Sequence, residues 1–173
     1  MLIAITRITW CRPTSWTGIL ALSTLLLLVG LAPPAFAEGE SFTDGLAAYD
    51  GGDYDETVRI WRPLAQAGDQ YAQVGLAGLY LAGNGVARDP DEAARLYRLA
   101  AEQGNSDGQL NLGRLLMNGL GVSKDLVAAY AWLSLAAEQG RRWADEKRQE
   151  IGKTLSAEQL AAAKTMIENV RAK

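Results

Sequence analysis

The residue types suited to acid–base or metal chemistry fall in two short acidic runs, Asp53, Asp55 and Glu56, and Asp89, Asp91 and Glu92. Paired carboxylates can pass a proton or hold a hard cation, but a calcium loop needs a denser alternation of oxygen ligands than either run supplies. Each run also opens a helical pattern, where a side-chain carboxylate accepts unpaired backbone N–H groups and negative charge suits the helix dipole. Capping is their expected work. Other reactive chemistry is thin. The chain has no histidine, which removes imidazole acid–base catalysis, Ser-His-Asp triads and histidine metal sites. Its single cysteine, Cys11, precedes a long apolar run, so thiol chemistry belongs to that N-terminal segment alone. The Gly83-Asn84-Gly85 and Gly119-Leu120-Gly121 loops follow no strand pattern and lack the lysine of a phosphate-cradling loop, which leaves them as turns. Ser106, Ser123 and Ser134 have no base in reach by any pattern. No catalytic residue, no metal site and no cofactor is expected.

The elements that carry these residues come from a pattern written twice. Tyr71 to Gly104 laid over Asp107 to Gly140 gives 14 identities in 34 positions, where unrelated segments share roughly 2. Repetition at a 36-residue spacing has to be read before any local feature. Ala72, Leu76, Leu79 and Tyr80 recur at helical steps until Gly83-Asn84-Gly85-Val86 breaks them. Asp89, Pro90 and Glu92 then supply an N-cap, a first-turn proline and the acid of a capping box. Ala93, Leu96, Tyr97, Ala100 and Ala101 form one face of the next helix, and Gly104 ends it. Short side chains along that face let two helices approach closely. One such hairpin cannot bury its apolar face, whereas stacked hairpins can, so the expectation is all-α: an α/α superhelical solenoid of antiparallel helix pairs.

Around this core, residues 42–68 read as a degenerate first repeat, with Gly51-Gly52 as the break, Asp53 as N-cap, Glu56 placed for a capping box and Pro63 as a local irregularity. Residues 71–104 and 107–140 are the two full repeats. Residues 141–173 leave the pattern and are expected to form two capping helices, the second opened by Ser156 with Gln159. Trp61, Tyr97 and Trp132 are expected in the core, Phe42, Tyr49 and Tyr80 between helices, and Trp143 under the cap. At the other end, Arg7 and Arg12, the apolar stretch from Gly18 to Ala32 and the small-x-small Ala35-Phe36-Ala37 read as a signal peptide, residues 1–37, cleaved after Ala37. The apolar stretch is shorter than the roughly 20 residues a membrane-spanning helix needs, so no stable membrane span is expected after cleavage. Cleavage leaves a chain with a formal charge of −5 and no cysteine. A mildly acidic surface argues against a nucleic-acid partner. The expected location is periplasmic or secreted.

Leu76-Ala77-x-x-Tyr80-x-x-Gly83-x-Gly85-Val86-x-x-Asp89, with Ala93 and Ala100-Ala101-x-x-Gly104, resembles the Sel-1-like repeat family, a relative of the tetratricopeptide repeats. The second copy matches through Gly119, Gly121, Val122 and Asp125 but carries Leu116 in place of the tyrosine. The resemblance implies a helical scaffold that binds proteins or peptides, without common catalytic machinery. It further implies a concave face lined by the first helix of each pair. Here that lining comprises Thr43, Ala47 and Asp50, then Tyr71, Val74, Gly78 and Leu81, then Asp107, Leu110, Arg114, Met117 and Asn118. Of these, Tyr71, Val74, Leu81, Asp107, Leu110, Arg114, Met117 and Asn118 are the candidate partner-binding residues, with Val74, Leu81, Leu110 and Met117 alternatively filling space between repeats. The expected function is a non-catalytic adaptor of the bacterial cell envelope that holds a protein or peptide partner. Two other readings stay open: a carbohydrate-binding accessory to envelope polysaccharide assembly, and a carboxylate-dependent cell-wall enzyme.

Overall fold

Helical periodicity becomes helix wherever a polar side chain stands ready to take the first turn's free N–H groups. In the computed structural model, which describes residues 40–172, eight α-helices and no strand occur among those residues. They are α1 (Phe42–Asp50), α2 (Tyr54–Gln66), α3 (Gln70–Ala82), α4 (Pro90–Glu102), α5 (Ser106–Asn118), α6 (Leu126–Glu138), α7 (Arg142–Gly152) and α8 (Ala157–Arg171). The signal-peptide expectation lies on residues outside those described.

Asp53 accepts from the Glu56 amide, Asp89 from Asp91 and Glu92, and Asp125 from Val127 and Ala128, so the acids at these helix starts are caps. Glu56 and Glu92 do not complete capping boxes. Each carboxylate turns instead to an arginine one turn on, Arg59 and Arg95, both at 2.7 Å, because a charged donor outcompetes a single backbone N–H. The capping box at Ser156 and Gln159 is formed, and α2 runs on through the exposed Pro63 to Gln66.

Consecutive helices pack against one another from α1 to α7, as an antiparallel solenoid requires. The core is a continuous seam, with Trp61, Leu79, Tyr97, Leu112, Leu115 and Leu133 all buried. Two glycines set the spacing between units. Gly85 and Gly121 both have φ near +66°, and a Cβ on Gly85 would sit 2.5 Å from the Tyr54 carbonyl oxygen at the start of α2. The Gly121 loop meets the Pro90 carbonyl at the start of α4 in the same way. Each long loop thereby rests on the second helix of the unit before it, which only a residue without a side chain permits.

Buried glutamines tie the units together by a second route. Gln73 donates to the Ala65 carbonyl at the end of α2, and Gln109 to the Ala101 carbonyl at the end of α4. Their side-chain oxygens accept from Gln103 and Gln139 at 2.8 and 2.9 Å. Each glutamine gives a second donor to a helix-end carbonyl that already accepts from the backbone, Ala65 from Gly68 and Ala101 from Gly104, and so ties the start of one helix to the end of the one before it. The last two helices depart from the hairpin plan, since α8 packs on α6 as α7 does.

Candidate functional site

On α3, three- and four-residue steps place Tyr71, Val74, Gly78 and Leu81 on one side of the helix and Gln73, Leu76 and Tyr80 on the other. The first set continues, 36 residues on, as Asp107, Leu110, Arg114 and Met117 of α5. Another 36 residues brings the register to Trp143, Glu146, Glu150 and Lys153 on and just after α7. The candidate residues thus share one first-helix face. Tyr71 is 58% exposed, Arg114 and Asn118 are exposed, and Val74, Leu81, Leu110 and Met117 are half-buried against the core.

The face changes character along the array. At its N-terminal end the Trp61 indole lies between Gly45 of α1 and Gly75 of α3, where any side chain would collide with the ring. Its Nε1 donates to the Phe42 carbonyl at 3.1 Å, and the Phe42 ring stacks on it at 5.2 Å. Tyr49 stacks on the indole as well, at 5.8 Å, and Phe42 leans on Tyr71 at 5.9 Å. A cleft of about 220 Å³ opens here, lined by Leu46, Tyr49, Val74 and Gly78 over Trp61. At α5 the positions of Gly75 and Gly78 are taken by Asn111 and Arg114.

The middle of the face is polar. Arg141 donates to the Asp107 carboxylate at 2.6 Å and to the Ser106 hydroxyl at 2.9 Å. It stands at the N-cap of α7, where α3 and α5 have Asp69 and Asn105, and clamps the new helix to the start of α5 in place of a side-chain cap. Arg114 has no ion pair among the described residues. Burial pushes the Tyr97 phenol up to about 12, with the nearby Arg114 pulling the other way and Asp107 adding to the rise. That phenol marks where the core reaches the polar part of the face.

Two expectations change. On α1 it is Leu46 and Tyr49 that border the cleft, rather than Thr43, Ala47 and Asp50, because Phe42, Gly45 and Tyr49 turn toward Trp61. Tyr80 packs half-buried against the core between helices as expected, and it also lines a groove on the opposite side of the array. Trp143 is 36% exposed instead of covered. Its place on the first-helix face was countable, 36 residues after Asp107, but the loss of the repeat's identities after Gly140 hid it.

The Sel1 repeat family matches residues 70–105 and 106–140, each a pair of the helices described above. The chain carries two Sel1 repeats. A protective antigen present in uropathogenic Escherichia coli strains, displaying an SLR fold, is 32% identical with a TM-score of 0.72, over 76% of this chain and 29% of that one. A Sel1 repeat protein from Oxalobacter formigenes is 31% identical with a TM-score of 0.60, over 62% of this chain and 44% of that one. This chain spans less than half the length of either. No curated protein matches it. Sel1 arrays are in general helical scaffolds for protein interaction. Among the described residues no helix is long and apolar enough to cross a membrane.

Proposed function

We propose that this Sel1-repeat chain is a non-catalytic adaptor of the bacterial cell envelope that holds a protein or peptide partner on its first-helix face. The observation that carries the reading is Tyr71, a large aromatic 58% exposed in the first turn of α3, together with the exposed Leu46 and Tyr49 and the cleft over Trp61. Leaving such a ring in water forgoes the roughly 1.5–3 kcal/mol that full burial of a large apolar side chain supplies. A partner that covers it recovers that energy, as aromatic anchors do at interfaces. Arg114 adds a guanidinium for an acidic group of the partner. The envelope location rests on the N-terminal Arg7, Arg12, apolar run and Ala35-Phe36-Ala37.

The test is capture of crosslinked partners from the native cell envelope by the native chain and by a Tyr71→Ala, Arg114→Glu variant. Both positions are exposed, so circular dichroism should show equal helicity. A discrete partner held at least tenfold more weakly by the variant is expected. An unchanged captured set would remove the first-helix face from the proposal.

A further inference from the structure

A cavity of about 490 Å³ lies on the other side of the array from Tyr71, between the second helices α2 and α4. Its size falls within the roughly 300–1,000 Å³ typical of ligand sites. Leu76 and Leu96 form its floor, and Leu99, 37% exposed, stands at its rim. Two guanidiniums, Arg62 and Arg95, face a single carboxylate, Glu92. Glu92 is already paired with Arg95 at 2.7 Å, while Arg62 has no ion pair among the described residues. The amides of Gln66 and Gln103 complete the edge.

The molecule holds its own comparison. Thirty-six residues on, the positions of Leu96, Glu92, Arg95 and Tyr80 are taken by Trp132, Ala128, Ala131 and Leu116. Trp132 is 4% exposed, and Leu135, the counterpart of Leu99, is 7% exposed. The second copy therefore buries an indole at the position where the first has the leucine that floors the cavity. The first copy keeps the same helix frame without the indole and adds uncompensated positive charge.

We propose that the α2/α4 groove binds a segment of a partner protein carrying a bulky aromatic side chain next to a carboxylate. The ring takes the place that Trp132 fills in the second copy, against Leu76, Leu96 and Leu99. The carboxylate pairs with Arg62, the guanidinium that Glu92 leaves uncompensated. Gln66 offers a donor and an acceptor to the segment's backbone, and Gln103, whose amide nitrogen is held by Gln73 and Leu99, offers its oxygen. This site is independent of the first-helix face, because Leu76 and Tyr80 lie on the opposite side of α3 from Tyr71 and Val74.

The experiment titrates the full chain, with leucine methyls labelled for NMR, with acetyl-Asp-Trp-amide and with acetyl-Lys-Trp-amide. The Leu76 and Leu99 methyls are expected to shift saturably, with the acidic peptide binding at least fivefold more tightly, and Arg62→Glu should reverse that preference. Leu96→Trp, which copies the second groove into the first, should abolish the shifts and raise the melting temperature. Leu99→Arg blocks the groove from an exposed position and should also abolish them, so the test does not depend on Leu96→Trp folding. Tyr71→Ala with Arg114→Glu should leave the shifts unchanged, which separates this site from the proposed first-helix one. Equal binding of the two peptides, retained binding in Leu99→Arg, or no saturable shift at these methyls would overturn the proposal.

Discussion

Three successive grooves run along the second helices of this array, and each is lined differently. Between α2 and α4 the groove stands open, rimmed by Arg62, Arg95 and Glu92. At the same position between α4 and α6, Trp132 and Leu135 are buried and alanines replace the charged pair. Beyond α6, α8 packs directly on the helix, and only a smaller space of about 230 Å³ remains around Tyr130, Ser134 and Ile167. The residues shared by the two repeats, among them Gln73/Gln109, Gly85/Gly121 and Asp89/Asp125, hold the backbone in the same frame each time. The unshared ones decide whether a groove is a surface or part of the core. The difference shows in the helices too: α4 keeps Arg95, Arg98 and Leu99 exposed, whereas α6 is buried nearly all round, as a helix with neighbours on every side must be.

The strongest way to break the contrast is to empty the second groove. Trp132→Ala should lose about 3–5 kcal/mol in urea denaturation, because the surroundings cannot collapse into a space framed by three helices. Equal losses from Trp132→Ala and from truncating the exposed Leu99 would show that the second groove is not closed by the indole.

Tyr97 probes α4, the helix that both grooves share. Its phenol, pushed up to about 12 by burial, is held neutral by folding, while the unfolded chain releases the proton near the ordinary value of 10. A folded pKa above the unfolded one means that stability is untouched below about pH 10 and falls as pH rises toward 12, by about 2–3 kcal/mol in all. Tyr97→Phe should flatten that part of the stability profile, and a delayed phenolate absorbance step should vanish with it. A variant with the native alkaline slope would place the loss elsewhere.

The glutamine ties sharpen the comparison at smaller scale. Gln73→Ala and Gln109→Ala each take one of two donors from a helix-end carbonyl, at Ala65 or Ala101, and leave the Gln103 or Gln139 amide without its acceptor, within a range of about 1–3 kcal/mol. Gln73 and Gln103 border the open cavity, where water can replace the lost partner, so the loss at Gln73 should sit near the low end and that at Gln109 near the high end. Identical values from thermal or chemical melts would mean that the two grooves are equally wet.

Much of this was legible along the chain. The 36-residue identities locate the helix pairs, and Asp89, Asp125 and Ser156 cap where their types and positions say they should. The first-helix register carried Tyr71 to Asp107 by counting alone. What failed was local. Glu92 fits a capping box on paper, but Arg95 lies one turn away and offers two charged donors. Leu46 and Tyr49 replaced Thr43, Ala47 and Asp50 at the cleft because the Trp61 ring draws the glycine-bearing side of α1 toward it.

The sequence by itself determined the helices, their caps and turns, and the Sel1 spacing, since each of these depends on residues within a turn or two of one another or on a count along the chain. Only the tertiary structure decided that Trp143 is exposed, that α8 returns to α6, and that Leu96 borders a cavity while Trp132 is buried. Those outcomes depend on how far apart two helices stand and which sides they turn to each other. Packing across the whole array sets that distance, and no single stretch of chain encodes it.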